Sequence, residues 1–145
     1  MTGEAERLRK LILAVLLAGM VANTVELLLL GHFESRVQFI PLVTLAIGMV
    51  GTGLVLIRPT RDRVGFLRVA SALFISVGLA GLYFHYRGNA EFELEMYPTL
   101  DGFQLFLESL QGATPALAPG VLIFFGLMGF VSTARHPLLE ERKTT

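Results

Sequence analysis

The distribution of charge along the chain limits what it can fold into more than any other feature. Residues 37–57, 69–86 and 109–134 contain no Asp, Glu, Lys or Arg. An apolar, uncharged stretch of about 18 or more residues is typical of a helix that crosses a membrane. Because three such stretches fall within 145 residues, the sequence predicts a polytopic membrane protein.

The composition points to the same class. Hydrophobic residues make up 53% of the chain and charged residues 17%, whereas soluble domains carry about 25% charged residues. The mean hydropathy is +0.63. Cysteine is absent, which excludes disulfides, thiol catalysis and thiolate metal sites. The formal net charge is zero, so nothing in the overall charge predicts a nucleic-acid partner.

Four transmembrane helices are predicted, over residues 8–31, 37–57, 67–86 and 115–134. At about 1.5 Å per residue, roughly 20 residues cover the hydrocarbon thickness of a bilayer. The connections after the first and second spans are short, and short connections make consecutive helices antiparallel neighbours. The predicted fold is therefore an all-α, up-down-up-down four-helix bundle that forms a single membrane domain over residues 1–145.

The basic residues divide unequally between the two sides of this predicted bundle. Only Arg36 and Arg87 fall on one side, while ten fall on the other: Arg7, Arg9, Lys10, Arg58, Arg61, Arg63, Arg68, Arg135, Arg142 and Lys143. Because cytoplasmic loops carry the excess of Lys and Arg, both termini are predicted to be cytoplasmic in a cell membrane of the bacterial type. The first span resembles a signal peptide, but its apolar run continues to Leu30, which favours a retained anchor.

The extracytoplasmic loop, residues 87–114, contains two patterned segments. Glu91, Glu93 and Glu95 alternate with apolar residues, which is the period of a β-strand. Residues 101–111 instead follow a helical period, with Asp101 as a candidate N-cap and Gly112 as a stop. Phenylalanine and leucine fill one face of this second segment, so an amphipathic helix on the outer membrane surface or against the spans is expected.

Small residues recur every four positions in three of the predicted spans. The series are Ala14, Ala18 and Ala22; Thr44, Gly48 and Thr52; and Ala72, Ser76 and Ala80. Small residues let membrane helices approach closely, so all three series are expected to face the bundle interior. Glu26 continues the first series, which predicts a carboxyl inside the bundle, paired with Arg36 or Arg87.

The other titratable groups gather at the predicted outer end. His32 and His85 flank spans one and three, and Glu34, Glu91, Glu93 and Glu95 lie on the same side. Imidazoles with carboxylates are ligands for zinc, copper(II) or iron(II), so a divalent metal ion bound by His32 and His85 is a candidate cofactor. Interfacial packing of the histidines and solvated glutamates are the alternative interpretation.

Three functional hypotheses remain open from the sequence. The first is a binding or accessory protein whose polar outer end binds a cation or docks a partner, using Glu26, His32, Glu34, Arg36, His85, Arg87, Glu91, Glu93 and Glu95. The second is an enzyme that acts on a lipid or lipophilic substrate at the outer interface, with Glu26 as acid/base. The third is a subunit that only packs against other membrane subunits or against further copies of itself.

Overall fold

The computed structural model describes residues 2–140, and helix accounts for 80% of these residues. Six helices occur in this part of the chain: α1 (Thr2–Leu29), α2 (Phe39–Ile57), α3 (Arg61–Met96), α4 (Gly102–Gln111), α5 (Gly120–Thr133) and α6 (Pro137–Glu140). No strand occurs among the described residues. The all-helical class predicted from the sequence is confirmed.

Three helices, α1, α2 and α3, are long and apolar enough to cross a membrane. A fourth apolar helix, α5, has 14 residues. It is preceded by a run of tight turns over residues 115–119, in which Ala118 N–H donates to the Pro115 carbonyl and Gly120 N–H to that of Leu117. The apolar helices indicate a lipid bilayer environment.

Local signals explain where α1 ends and α2 begins. At the end of α1, Gly31 has φ +66°, a backbone angle that residues with a side chain adopt only under strain. His32 N–H donates to the Leu27 carbonyl, which is the hydrogen bond of a glycine C-cap. Ser35 and Gln38 then exchange backbone-to-side-chain hydrogen bonds of 2.9 and 3.4 Å, in the manner of a capping box. The tight turn between them keeps α1 and α2 in contact.

The connection between α2 and α3 is also held by side chains. Thr60 caps α3 by accepting from Arg63 N–H at 3.4 Å. The Arg63 guanidinium turns back to donate to the carbonyls of Leu54 and Arg58 at the end of α2, and the Leu54 carbonyl also accepts from Arg58 N–H. Pro59 between these two caps prevents the helices from merging.

The core consists of two apolar clusters. The larger one surrounds the Phe74 and Phe125 rings, which meet edge to face at 6.0 Å, and includes Leu16, Met20, Leu45 and Leu122. The smaller one contains Leu13, Val55, Val64 and Leu67, and α6 packs Leu138 and Leu139 against it. Large side chains therefore fill the space between α1, α2, α3 and α5.

Small residues do bring helices together, but the predicted series is right for only one of the three. Thr44, Gly48 and Thr52 are buried on α2. The alanine series of α1 and the series Ala72, Ser76 and Ala80 of α3 are exposed, so those two predictions are wrong. On α1, the large side chains of Leu13, Leu16 and Met20 are buried instead, because large side chains gain most from packing in the core. On α3, Phe74 is buried in the same way, while Ser71 and Gly78 are buried at the contact with α5.

The closest helix contact instead joins α3 to α5. A Cβ added at Gly126 would lie 2.5 Å from the Ser71 carbonyl oxygen, and one added at Gly78 would lie 2.6 Å from Ile123 Cγ1. Gly129 abuts the Ser71 side chain in the same way. Glycines on both helices thus allow the backbones to approach, as small residues do between membrane helices.

The strand predicted around Glu91, Glu93 and Glu95 is wrong, since these residues form the last turns of α3. Glu, Leu and Met are good helix formers, and no proline interrupts the helix before Pro98. Arg87 also pairs with Glu91 one turn later, at 2.7 Å. A six-residue alternation is too short to overcome these helical preferences.

At the other end of the loop, α4 begins directly after Asp101, although the Asp101 side chain makes no capping hydrogen bond. Its apolar residues Phe103, Phe106 and Leu107 are exposed, while Ser109 is buried against α3. After α5, the chain forms the short helix α6, and residues 141–145 lie outside the described residues.

Candidate functional site

The structure brings the two outer histidines together. His32 lies in the turn after α1 and His85 lies on α3, with their ring centroids 6.4 Å apart. The Nδ1 of His85 is 3.1 Å from the Pro115 carbonyl oxygen, so this nitrogen carries the proton and donates. Burial, and secondarily the neighbouring His85, hold the pKa of His32 below its ordinary value. Both effects favour a neutral His32 imidazole.

The glutamates do not join this histidine pair. Among the described residues, no group of three His, Asp or Glu side chains is placed to hold a metal ion. Glu91 is engaged by Arg87 on the exposed face of α3, and Glu34 and Glu95 are exposed. Of the nine candidate residues, His32 and His85 therefore converge and Arg87 pairs with Glu91, but no carboxylate joins the two histidines in a metal site among the described residues.

A separate acidic groove lies between the end of α3 and α4. It has a volume of about 250 Å³ and contains two carboxylates, from Glu93 and Glu108, with Tyr97, Leu100 and Gln104 completing its lining. Exposed Phe103 and Phe106 stack near it at a centroid distance of 6.2 Å. We call this region, residues 87–111, the outer ledge. It combines negative charge with exposed apolar rings.

The outer ledge is held in place by Asn89, a residue that the sequence analysis did not single out. Asn89 is 2% exposed, and its Nδ2 donates to the carbonyls of Ser109 (2.9 Å) and Thr114 (2.7 Å). Its Oδ1 accepts from both the backbone N–H and the hydroxyl of Thr114, at 3.0 and 2.6 Å. Gly112 packs directly on the amide, with room for no Cβ.

These bonds also occupy Thr114. Its backbone N–H and hydroxyl are bound to Asn89, and α5 begins only at Gly120. A sequence signal for Asn89 exists. Asparagine is a poor helix former, and its presence within a long helix indicates a side chain with a polar task.

Glu26 lies in α1 about one turn before its end at Leu29, and its side chain is exposed. The expectation that it faces the bundle interior is wrong, because the buried face of α1 is formed by Leu13, Leu16 and Met20. Its one side-chain hydrogen bond in the described part of the chain comes from Asn23, whose Nδ2 lies 3.5 Å from Glu26 Oε2. The two ion pairs of residues 2–140 are Lys10–Glu6 and Arg87–Glu91, so neither Arg36 nor Arg87 neutralises Glu26.

Arg36 lies in the connection between α1 and α2, just before α2 begins. It is exposed and forms the polar end of a second groove, between α2 and α3. Neither this groove nor the acidic one includes Glu26.

No protein-family model, no curated protein and no solved structure matches this chain. What the chain does is therefore inferred from its own geometry.

Proposed function

We propose that this chain is a small multi-pass accessory protein that docks a membrane partner at its extracytoplasmic end, with Glu26 as the polar contact. The partner is a transmembrane helix, from another subunit or a second copy, that presents a hydrogen-bond donor or a cation to this carboxyl. The observation that carries the proposal is the exposed position of Glu26 on α1.

The proposed topology has four spans, with both termini in the cytoplasm. The segment 115–133 follows α3 from His85, which donates to the Pro115 carbonyl, to Arg68, whose guanidinium lies 5.6 Å from the Phe130 ring centroid. This stretch of α3 is about 25 Å long at 1.5 Å per residue, close to the hydrocarbon thickness of about 30 Å. The segment 115–133 is thus long enough to act as the fourth span although α5 is short.

Contacts at the opposite end support termini on one side. Arg9 near the start of α1 donates to the carbonyls of Ala134 and Arg135 at 3.2 and 3.0 Å. Both segments belong to the strongly basic side of the chain, which the positive-inside rule assigns to the cytoplasm. Glu26, His32 and the outer ledge then lie at or near the extracytoplasmic surface.

An exposed carboxyl at this position needs a partner for a physical reason. A charged side chain costs most at the bilayer centre, about 2.5–3.5 kcal/mol even by the smaller estimates, and less near a helix end such as that of Glu26. Charged residues in membrane helices pair with one another or with polar groups. Asn23 supplies a single long contact of 3.5 Å. A donor from a neighbouring transmembrane helix would remove this cost and would hold the two helices together.

The rest of α1 is suited to receive such a helix. In the most apolar part of each helix, 17% of the residues of α1 are buried, compared with 33% in α2 and in α3. α1 is therefore the least covered of the three helices. Ala14, Ala18 and Ala22 are exposed on α1, and small residues permit close helix contact. The outer ledge extends beyond the membrane and offers Glu93 and Glu108 to basic side chains of the same partner.

Two other readings of the same residues are less well supported. An enzyme with Glu26 as acid/base needs a cavity for a lipophilic substrate beneath it, but Leu16, Met20, Leu45, Phe74 and Phe125 fill that region. A cation site is disfavoured because the outer carboxylates do not converge on the histidine pair. Docking of a partner needs neither a cavity nor converging carboxylates, and it uses the exposed Glu26 carboxyl directly.

Site-specific photo-crosslinking in native membranes tests the proposal. A photoreactive amino acid at Ala18, on the exposed face of α1, is expected to give a defined adduct with one transmembrane protein. Glu26→Leu should reduce the yield of that adduct several-fold, because the polar contact is lost. Two differently tagged copies of the chain establish whether the adduct is a homodimer.

The matched control places the same photoreactive residue at Ala72, an equally small and exposed position on α3. It should give only lipid or diffuse adducts. The proposal is wrong if Ala18 and Ala72 give the same products, or if Glu26→Leu leaves the Ala18 adduct unchanged.

A further inference from the structure

An apolar groove runs along the outer half of α2, between this helix and α3. Its volume is about 390 Å³ and it is open to the surroundings on one side. Its lining consists of Arg36, Phe39, Ile40, Val43, Thr44, Ile47, Leu73 and Val77.

The lining is apolar over nearly its whole length. Its polar residue within the helix is Thr44, whose hydroxyl donates to the Ile40 carbonyl at 2.8 Å and so has no proton left to donate to a ligand. From Phe39 to Ile47 the groove follows α2 for about 12 Å at 1.5 Å per residue. One leaflet contributes about half of the 30 Å hydrocarbon thickness, so the groove matches most of the depth of one leaflet.

A single cation lies at the polar end of this groove. The Arg36 side chain is exposed, and within residues 2–140 neither ion pair includes it. Arg87, the other basic residue of the outer end, is neutralised by Glu91 at 2.7 Å. A guanidinium suits phosphate because its N–H groups form two parallel, charge-assisted hydrogen bonds to the oxygens.

We infer that this groove is a phospholipid site, in which Arg36 binds the headgroup phosphate and an acyl chain lies along Val43, Ile47, Leu73 and Val77. A lipid with a net negative headgroup is favoured, since it neutralises the unpaired guanidinium, whereas a zwitterionic headgroup brings a positive charge next to it. The site is on a different face from Glu26 and does not depend on the docking proposed above.

Native mass spectrometry of the protein in detergent tests this inference. The protein is titrated with an equimolar mixture of phosphatidylglycerol and phosphatidylcholine that carry the same acyl chains. Wild type is expected to retain one phosphatidylglycerol in preference to phosphatidylcholine. Arg36→Gln should weaken its retention about tenfold, as expected for the loss of a charged hydrogen-bonded pair. Val43→Phe should reduce the retention of both lipids, because the ring occupies the groove.

Two matched variants serve as controls. Arg87→Gln removes the other outer cation, and Val50→Phe adds the same ring at an exposed position of α2 outside the groove. Both should bind phosphatidylglycerol as wild type does. Circular dichroism of each variant verifies that its helices are intact.

The remaining outcomes overturn the inference. Equal retention of the two lipids by wild type, or unchanged retention in Arg36→Gln and Val43→Phe, would mean that lipid only surrounds the protein as solvent. Displacement of phosphatidylglycerol by excess inorganic phosphate or glycerol phosphate would assign Arg36 to a free anion instead of a lipid.

Discussion

At the scale of single residues, Asn89 shows how one buried amide can organise a loop. It accepts two hydrogen bonds and donates two, which uses every donor and acceptor that its side chain has. Its partners lie 20 and 25 positions away along the chain. The position of α4 relative to α3 therefore depends on this side chain.

Replacing Asn89 with alanine is expected to destabilise the protein by about 1–3 kcal/mol, because buried carbonyls and an N–H lose their partners. Unfolding by dodecyl sulfate in mixed micelles, followed by circular dichroism, measures the change. Gln111→Ala, at an exposed position on α4, should be nearly neutral. Equal stability of Asn89→Ala and wild type would contradict a structural role for the amide.

Glu26 illustrates the opposite case at the same scale. The residue type and its depth were sufficient to mark it as a candidate functional group. The direction of its side chain was not predictable from the four-residue spacing of alanines, because spacing identifies a helix face but not what covers that face. The burial of Leu13, Leu16 and Met20 decides the direction.

At the scale of elements, the α3–α5 contact depends on glycines that the four-residue patterns did not reveal. Gly78 contacts Pro119, just before α5, and Ile123 within α5. A Cβ added at Gly78 would lie 3.0 Å from Ile123 N and 3.1 Å from the Pro119 carbonyl oxygen. Backbone atoms cannot move aside as a flexible side chain can. A methyl group at this position must therefore separate the two helices.

Gly78→Ala is expected to cost about 1–3 kcal/mol through overpacking. Gly65→Ala lies in the same helix, but nothing is within 4 Å of the added Cβ. The Gly65 variant should be neutral or gain up to about 1 kcal/mol, because alanine loses less backbone entropy in a helix. Thermal unfolding of both variants in one detergent gives the comparison, and a Gly78 variant as stable as the Gly65 variant would refute the close contact.

The last turns of α3 show that a short strand-like pattern can lie in a helix. The alternation of glutamates with apolar residues has the period of a strand, yet these residues continue a helix that started at Arg61. A short periodic pattern is weak against a helix that is already nucleated, since each added residue then gains a hydrogen bond without a new nucleation cost.

At the scale of the whole molecule, the proposed orientation makes a direct prediction. A single cysteine at Thr99, an exposed residue between α3 and α4, should react with a membrane-impermeant maleimide added to intact cells. A cysteine at Asp62, exposed at the start of α3, should react only after the membrane is permeabilised. Since the chain has no native cysteine, each signal comes from one site. Labelling of Asp62→Cys but not Thr99→Cys in intact cells would reverse the orientation.

The sequence by itself determined the all-helical class and the apolar helices that indicate a membrane. These properties depend on local chemistry: uncharged stretches must find an apolar environment, and Gly31, Pro59 and Thr60 end or begin helices through their own backbone and side-chain preferences. Such effects act within a few residues, so they can be predicted from the amino-acid sequence.

Only the tertiary structure decided which helix faces are covered, and therefore where the candidate sites lie. The exposed Glu26, the polar network of Asn89 and the groove at Arg36 result from how Phe74, Phe125 and their neighbours fill the interior. Packing joins residues far apart in the chain and selects one face of a helix over another by the fit of large side chains. That choice depends on all helices at once, which no single stretch of sequence contains.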